Sequence, residues 1–593
     1  MKHSRASQKG MSLIGMLVVV VLVGGVTTAL LLMTTTDHRA TEVAKYKMRA
    51  TYLAEAAVEE VAHLIRTGYA NEILPPVQSP SSGSVTVSGK SIAYSWNTSI
   101  SPPMYSLNSS VTLDGKAINF VATQYTVVPP PAINGQLSTT KVLFEIQVDT
   151  KIYKALGMVI RNIEVNVTPL FQFLAFYNGD LEFLPGPAWV GRGRIHTNSD
   201  LYMGAGTSLD LDTDYVRAMG NMYRHRKDSG AGMAGPVRVR DASGNMVDWD
   251  TNLESAGTFG ATNDDDWAAQ AIANWGGNVK NGALGAVPVE SPAVGSIQPP
   301  TPYDSSGGLF YEKAMNDGLI LKTDSSGAVT ALFQGRDVTS DLTGGATPVI
   351  TPNRTVFDAR QDQTTALPVT EVNMTALKGT SYYPSNGVLY VYDERNPVPS
   401  TDGGAVAAPT QPAGFVFKDA AELPINGGIT IASNGQVYMQ GDFNANPSNT
   451  SYVKQPAAVI ADAVNLLSNS WDNGKASGTG VPRATETTFN FAMVTGNVPT
   501  PSINGGQYSG GLENLPRFHE NWSGGVRCNF TGAMINLWAS QLATGGWGQG
   551  NVYSPPNRNW NFDQDFVDPN KAKPPAFPTG VSIGRTTYEE RYR

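Results

Sequence analysis

The sequence predicts a mainly β protein carried behind a long N-terminal α-helix. An antiparallel β domain comes first, then a β-solenoid or, in its place, a distorted β-sandwich. Three observations predict this. The chain carries no charge from residue 11 to residue 36, and an apolar stripe at three- and four-residue spacing follows it. Residues 83–170 alternate apolar and polar. Beyond them, short apolar segments recur between Asn-Gly and Gly-Asp turns. Composition agrees: of 593 residues 61 are Gly and 38 Pro, and 16% are charged, against roughly 25% in a typical soluble domain.

The helix is the first element. Lys2, Arg5 and Lys9 precede Gly10, and the uncharged run opens after it. At helical rise residues 11–36 extend about 39 Å, enough to cross a bilayer core of roughly 30 Å. The basic flank then stays on the cytoplasmic side. A cleaved secretory signal is the plainer alternative. The run is longer than the usual apolar region of about 7–15 residues, and no small-x-small site directly follows it. The helix continues as an amphipathic segment over 37–68. Val43, Tyr46, Ala50, Leu53, Ala54, Ala57, Val61, Leu64 and Ile65 form its stripe, and Gly68 with Pro75-Pro76 ends it. The plain expectation is that this stripe packs on the following β domain.

The junction Gln8-Lys9-Gly10-Met11-Ser12-Leu13-Ile14-Gly15-Met16-Leu17 resembles the prepilin-type leader of type IV pilins and type II secretion pseudopilins. The resemblance implies a leader over 1–10 and a prepilin peptidase that cuts between Gly10 and Met11 and methylates the new terminus. It implies a membrane and filament helix through Leu13, Ile14, Gly15, Leu17 and Val18, packed against other pilin or pseudopilin subunits. The family usually carries Glu at the fifth mature position, where this chain has Gly15. That departure favours a rare initiating or capping subunit over an abundant repeating one, because a membrane carboxylate needs a partner. The stretch from Tyr52 to Glu60 resembles the Ala-Glu-Ala region of PilX-type minor pilins, so the resemblance gives the stripe a second task, packing helices in a filament.

The antiparallel domain is placed at 77–170. Its alternating runs are Val85/Val87, Ile92/Tyr94/Trp96, Val111/Leu113, Ile118/Phe120, Val142/Phe144/Ile146/Val148 and Ile163/Val165/Val167. Asp114-Gly115 between two of them is a hairpin signal, and no crossover helices intervene to favour a parallel sheet. The solenoid-like part is placed at 171–205 and 425–580, with no strict sequence period. Residues 206–424 read as a loop-rich insertion, with linkers at Pro299-Pro300-Thr301-Pro302 and from Asn396 to Pro412. The insertion holds one short helix, from Asp264 to Trp275, with acids at its N-terminus. Gly193-Arg194-Ile195-His196-Thr197-Asn198, Tyr438 to Asn444 and Tyr508 to Asn514 resemble segments of large PilX-N-terminal-like proteins, which implies location and assembly but no reaction.

Chemical candidates are sparse. The net charge of −8, without a long Lys/Arg run, argues against nucleic acid as the main partner. Cys528 alone excludes a disulfide framework and predicts a buried small hydrophobe. His196 lies near Asp200, and His519 beside Glu520, but no nucleophile pattern accompanies either pair. Asp210, Asp212 and Asp214 begin like a calcium loop, yet the EF-hand pattern fails at Tyr215 and Asn221. Trp538, Trp547, Trp560, Tyr508 and Tyr553 make the C-terminal quarter aromatic, and aromatics serve cores more often than sugar binding. The expectation is a non-catalytic, cofactor-free, pilin-like protein of the bacterial inner membrane. It is single-pass, its N-terminus cytoplasmic and its ectodomain periplasmic or in a surface filament. It acts in assembly, initiation or tip presentation. Two alternatives stay open: an adhesin binding a glycan or surface, and a membrane-tethered enzyme acting on polysaccharide.

Overall fold

The computed structural model describes residues 8–70, 74, 82–97, 104–128, 137–250, 253, 267–300, 307–361, 366–397, 412–473, 481–501, 508, 510–545 and 552–592. The side chains of 8–12, 97, 105, 126 and 585–592 lie outside the description. So do Pro75-Pro76, Trp547, the acids 264–266, Thr301 and Pro302 of the first expected linker and most of the second. The chain divides into two units. The first holds residues 1–128, 141–166 and 583–593, the second 129–140 and 167–582.

Unit 1 opens with α1, one unbroken helix over Gln8–Ala70. No proline interrupts it, and its hydroxyls turn inward. Thr27, Thr28, Thr34 and Thr36 each donate to a carbonyl one turn back, at 2.7, 2.8, 2.9 and 2.6 Å. These polar groups are thereby satisfied within the helix itself. Strands β1 (Gly83–Val87), β2 (Lys90–Asn97), β3 (Met104–Leu113), β4 (Lys116–Val128) and β5 (Thr140–Ile152) pair antiparallel in sequence order, and β6 (Ala155–Pro169) lies beside β5. Asp114 and Gly115 both take positive φ, 49° and 69°, and turn β3 into β4 with Leu113 opposite Lys116. Two consecutive left-handed residues are what the tight hairpin requires. In β5, Val142, Phe144, Ile146 and Val148 are buried on one face, the period-two pattern of a half-buried strand. The C-terminal strand Thr579–Tyr592 adds beside β6, so residues remote in sequence complete this sheet.

Unit 2 is built from short strands that pair mostly in parallel. The chain enters a twelve-stranded sheet at Phe173–Tyr177. It stacks Arg194–Thr197, Val216–Ala218 and Val279–Lys280 outward on one side, each parallel to the last. It then re-enters far along the same sheet at Leu319–Thr323 and returns through Val388–Asp393, Ile429–Ser433, Ala457–Ala461 and Ala492–Thr495 to Met534–Asn536. That last strand pairs in parallel with Phe173–Tyr177 and closes a seam, Ile535 opposite Phe176. A nine-stranded sheet runs through Leu367–Asn373, Gly414–Ala420, Gln436–Phe443, Thr487–Asn490, Arg527–Gly532 and Asn557–Phe562, again parallel. Asn434-Gly435 is a corner between two sheets, not a hairpin: Ile429–Ser433 belongs to the first sheet and Gln436–Phe443 to the second. A large continuous apolar core fills most of the unit, with a smaller cluster around Val369, Val416 and Trp471 beside it.

The expected loop-rich insertion at 206–424 differs from this. It supplies Val216–Ala218, Leu319–Thr323, Val388–Asp393 and Gly414–Ala420 to these two sheets, and Leu209–Leu211 and Val237–Arg240 to a further four-stranded one. Strands of three to seven residues alternate with turns rich in Gly, Asp and Ser, so average composition hides them. The expected short helix is present as Trp267–Trp275 and buries Trp267, Ala271 and Trp275. Trp249 stacks on Trp267 with centroids 5.6 Å apart and meets Trp275 at a tilt, 4.8 Å away.

Candidate functional site

The largest unburied apolar surface among the described residues is the first half of α1. Leu13, Ile14, Leu17 and Val18 are 70, 66, 66 and 51% exposed, and the apolar residues through Met33 stay similarly open. The helix is long and apolar enough to cross a membrane, and its most apolar stretch makes no burial within the chain. Leaving so large a patch in water is unfavourable, so this surface has an apolar environment as its counterpart. Gly15 meets no atom within 4 Å of where a side chain would begin. Gly10 and Met11 fall in the helix's first turns, and their side chains lie outside the description.

The second half of α1 sits on the sheet of unit 1. Ala50, Ala54, Ala57, Val58, Val61, Leu64 and Ile65 are buried, against β1, β3 and β4. Small residues let the main chains approach: a Cβ on Gly157 of β6 would lie 2.8 Å from the Ala50 carbonyl carbon. The Thr150 hydroxyl donates to the Ala50 carbonyl at 2.7 Å. Lys90 pairs with Glu60 at 2.7 Å, and Arg161 with Glu59. The expected stripe needs correction at its start. Val43 is 53% exposed, and Tyr46 and Leu53 are half-buried. The Tyr46 ring lies 4.8 Å from that of Tyr153, in the turn between β5 and β6. Close packing therefore begins at Ala50, where β5 and β6 reach the helix.

The remaining sequence candidates are structural. Asp210 takes Arg238 in a bidentate pair, 2.6 and 2.9 Å, across adjacent strands. Asp212 pairs with Arg240 and stands 3.4 Å from Arg192. Guanidinium groups thus occupy two of the three carboxylates expected as calcium ligands, Asp210 and Asp212, and no group of three metal-binding side chains occurs among the described residues. His196 is buried, bonded to Asn198 Oδ1 (3.0 Å) and the Tyr215 hydroxyl (3.2 Å), and stacked on Phe176. Burial holds it down at about 4, so it is neutral at pH 7 and not paired with Asp200. Of the aromatics, Trp560 is buried against Trp189 and Phe530, while Trp538, Tyr508 and Tyr553 are half-buried. Cys528 is buried, and burial pushes its thiol up to about 12.

Sequence reasoning missed the buried polar groups of unit 2. Glu520 accepts from the Ser468 amide and hydroxyl, both at 2.6 Å, yet burial raises it to about 7. Burial likewise raises Glu513 to about 7, against the opposing charge of Arg558. Asp462 accepts from the amides of Gln541, Leu542 and Ala543 at 2.6, 3.0 and 2.9 Å, and from the Ser540 hydroxyl at 2.6 Å. Asp358, Arg360 and Arg517 are buried charged groups, with a neutral buried His519 beside Asp358. They come from two segments remote in sequence, 358–360 and 517–519, and no local pattern marks either.

No protein-family model matches the chain, and no curated protein does. Among solved structures the chain is similar to the crystal structure of competence-associated pilin ComZ from Thermus thermophilus, at 10% sequence identity and a TM-score of 0.28, over 93% of this chain and 98% of that one.

Proposed function

We propose that this chain is a membrane-anchored, pilin-like subunit acting in assembly, initiation or tip presentation of a type IV pilus or type II secretion pseudopilus. The observation that carries the proposal is the division of α1. Its N-terminal half is apolar and unpacked, and its C-terminal half is seated on an antiparallel sheet. A helix so divided has one half for lipid or neighbouring helices and one half that fixes it to its own domain. The leader-like junction at Gly10 and Met11 supports processing by a prepilin peptidase. Gly15 in place of the usual Glu supports an initiating or capping position. Within this proposal the ectodomain is presented, not catalytic. The N-terminus stays in the cytoplasm and unit 2 lies beyond the inner membrane.

The test is intact mass and N-terminal sequencing of protein extracted from membranes. A methylated terminus at Met11 is the expected result. An uncut Gly10–Met11 junction would overturn the filament role, and a terminus near residue 40 would mean an exported protein without the helix.

A further inference from the structure

We propose that unit 2 holds a buried binding site for a small monovalent inorganic anion, of halide size, between Arg360 and Arg517. Arg360 follows the strand Ile350–Val356, and Arg517 lies on the short strand Arg517–Phe518, paired beside Asn465. Their residues are 3 and 4% exposed. The Nε and Nη1 of Arg360 and the Nε and Nη2 of Arg517 are buried and have no hydrogen-bond partner.

The charge around them does not balance. Asp358 is the carboxylate acting on both guanidinium groups, and its oxygens are committed elsewhere. Oδ1 accepts from the amides of Arg360 (2.9 Å) and Gln361 (3.0 Å), and Oδ2 from the Tyr438 hydroxyl (2.9 Å). Arg517 Nη2 is 3.8 Å from Oδ1, beyond a hydrogen bond. Arg517 spends Nη1 on the carbonyls of Ala543 (3.0 Å) and Gly545 (3.4 Å). His519 adds no charge of its own. Asn465 donates its amide to the Val437 carbonyl, so its oxygen receives the His519 Nε2 proton at 2.9 Å. That leaves Nδ1 as a lone pair 3.4 Å from Asp358. Tyr438 and Tyr553 are the other titratable groups facing the pair, and burial holds the Tyr438 phenol neutral.

Among the described residues two cations therefore face one anion in a buried cluster, with four unmet donors. A buried charge without compensation is strongly destabilising, and each unmet donor adds to the cost. Water would satisfy donors but leave the charge. An anion satisfies both. Asp358, Arg360, Tyr438, Arg517 and His519 are each at most 4% exposed, so an ion bound among them is shut off from solvent, which favours one or a few atoms over an organic acid.

The test uses the full chain in detergent. Thermal unfolding is compared in sodium chloride, sodium bromide and sodium gluconate at equal ionic strength. Halide should raise the midpoint by a few degrees in a saturable way, as binding to the folded state alone requires. Arg360→Met removes the excess charge, and its midpoint should be the same in halide and gluconate. Crystals grown in bromide should give an anomalous peak within hydrogen-bond distance of both guanidinium groups. That measurement decides alone if the variant does not fold. Equal midpoints for the wild type in all three salts, a halide gain that persists in the variant, or a bromide map empty at this site would each overturn the proposal.

Discussion

Replacing Glu520 by Gln should stabilise the protein above neutral pH and leave it unchanged in acid. Glu520 is fully buried, and its folded-state value of about 7 stands above the ordinary 4.5. A raised carboxyl contributes stability that is intact below the unfolded value and is lost as pH rises toward the folded one, because between the two the native state holds the extra proton. The gap of about 2.5 units at 1.36 kcal/mol each gives about 3 kcal/mol lost by pH 8. Glutamine keeps the neutral form at every pH. Its carbonyl can accept from the Ser468 amide, and the Ser468 hydroxyl can rotate to accept from the new amide. The buried histidines, His196 and His519, are held down at about 4, so they lose stability as pH falls from 6.5 toward 4. Both proteins share that loss, and it drops out of the difference. The assay is urea unfolding of wild type and Glu520→Gln at pH 4.5, 6 and 8, followed by hydrogen exchange of the segment around Ser468 and Glu520. The difference should grow from near zero to about 3 kcal/mol. A difference of the same size at pH 4.5 and pH 8 would refute the reasoning.

Three further outcomes are expected. Gly157→Ala places a methyl 2.8 Å from the main chain of Ala50, and overpacking of this kind costs about 1–3 kcal/mol; unfolding of unit 1, followed by hydrogen exchange in α1, should occur at lower denaturant. Asp462→Ala removes the acceptor that gathers residues 540–543. With several buried donors left unmet, a loss of at least about 2 kcal/mol is expected, together with faster amide exchange confined to that loop. Val20→Asp puts a carboxylate in the uncharged run, where insertion costs about 3 kcal/mol. The protein should shift from the carbonate-resistant membrane fraction toward the soluble one, and unchanged fractionation would count against a membrane role for α1.

The parts of the fold that were legible in sequence are those governed by local periodicity. The stripe from Ala50 to Ile65 repeats at the helical period, and the runs in β1 to β5 at period two, with Asp114-Gly115 marking a turn. Their packing faces follow from spacing alone. The parallel ladder of unit 2 was legible only as short apolar runs. Its stacked partners Tyr390, Ala432, Ile460, Val494 and Ile535 are unevenly spaced, because the coils between them differ in length, so no repeat emerges. Val43 belonged to the stripe by spacing, but the sheet does not extend that far along the helix. Asp210 and Asp212 looked like a metal loop because their partners, Arg238 and Arg240, come from the next strand over. The cluster of Asp358, Arg360, Arg517 and His519 had no local pattern, since burial and proximity come from the tertiary fold.

The seam at Phe173–Tyr177 has a consequence for how the chain is made. This strand is apolar and buried throughout, and one of its two neighbours, Met534–Asn536, is the last of the twelve to be synthesised. From the moment Phe173 emerges until Asn536 follows, one edge of an apolar strand stays open to any other strand nearby, the circumstance that favours mispairing and aggregation. The unit also begins and ends in one place, with the Leu170 amide donating to the Pro578 carbonyl at 3.2 Å. Its assembly is therefore governed by a long-range closure, which is slow by its nature, and a polypeptide released early would carry a sticky, half-finished edge.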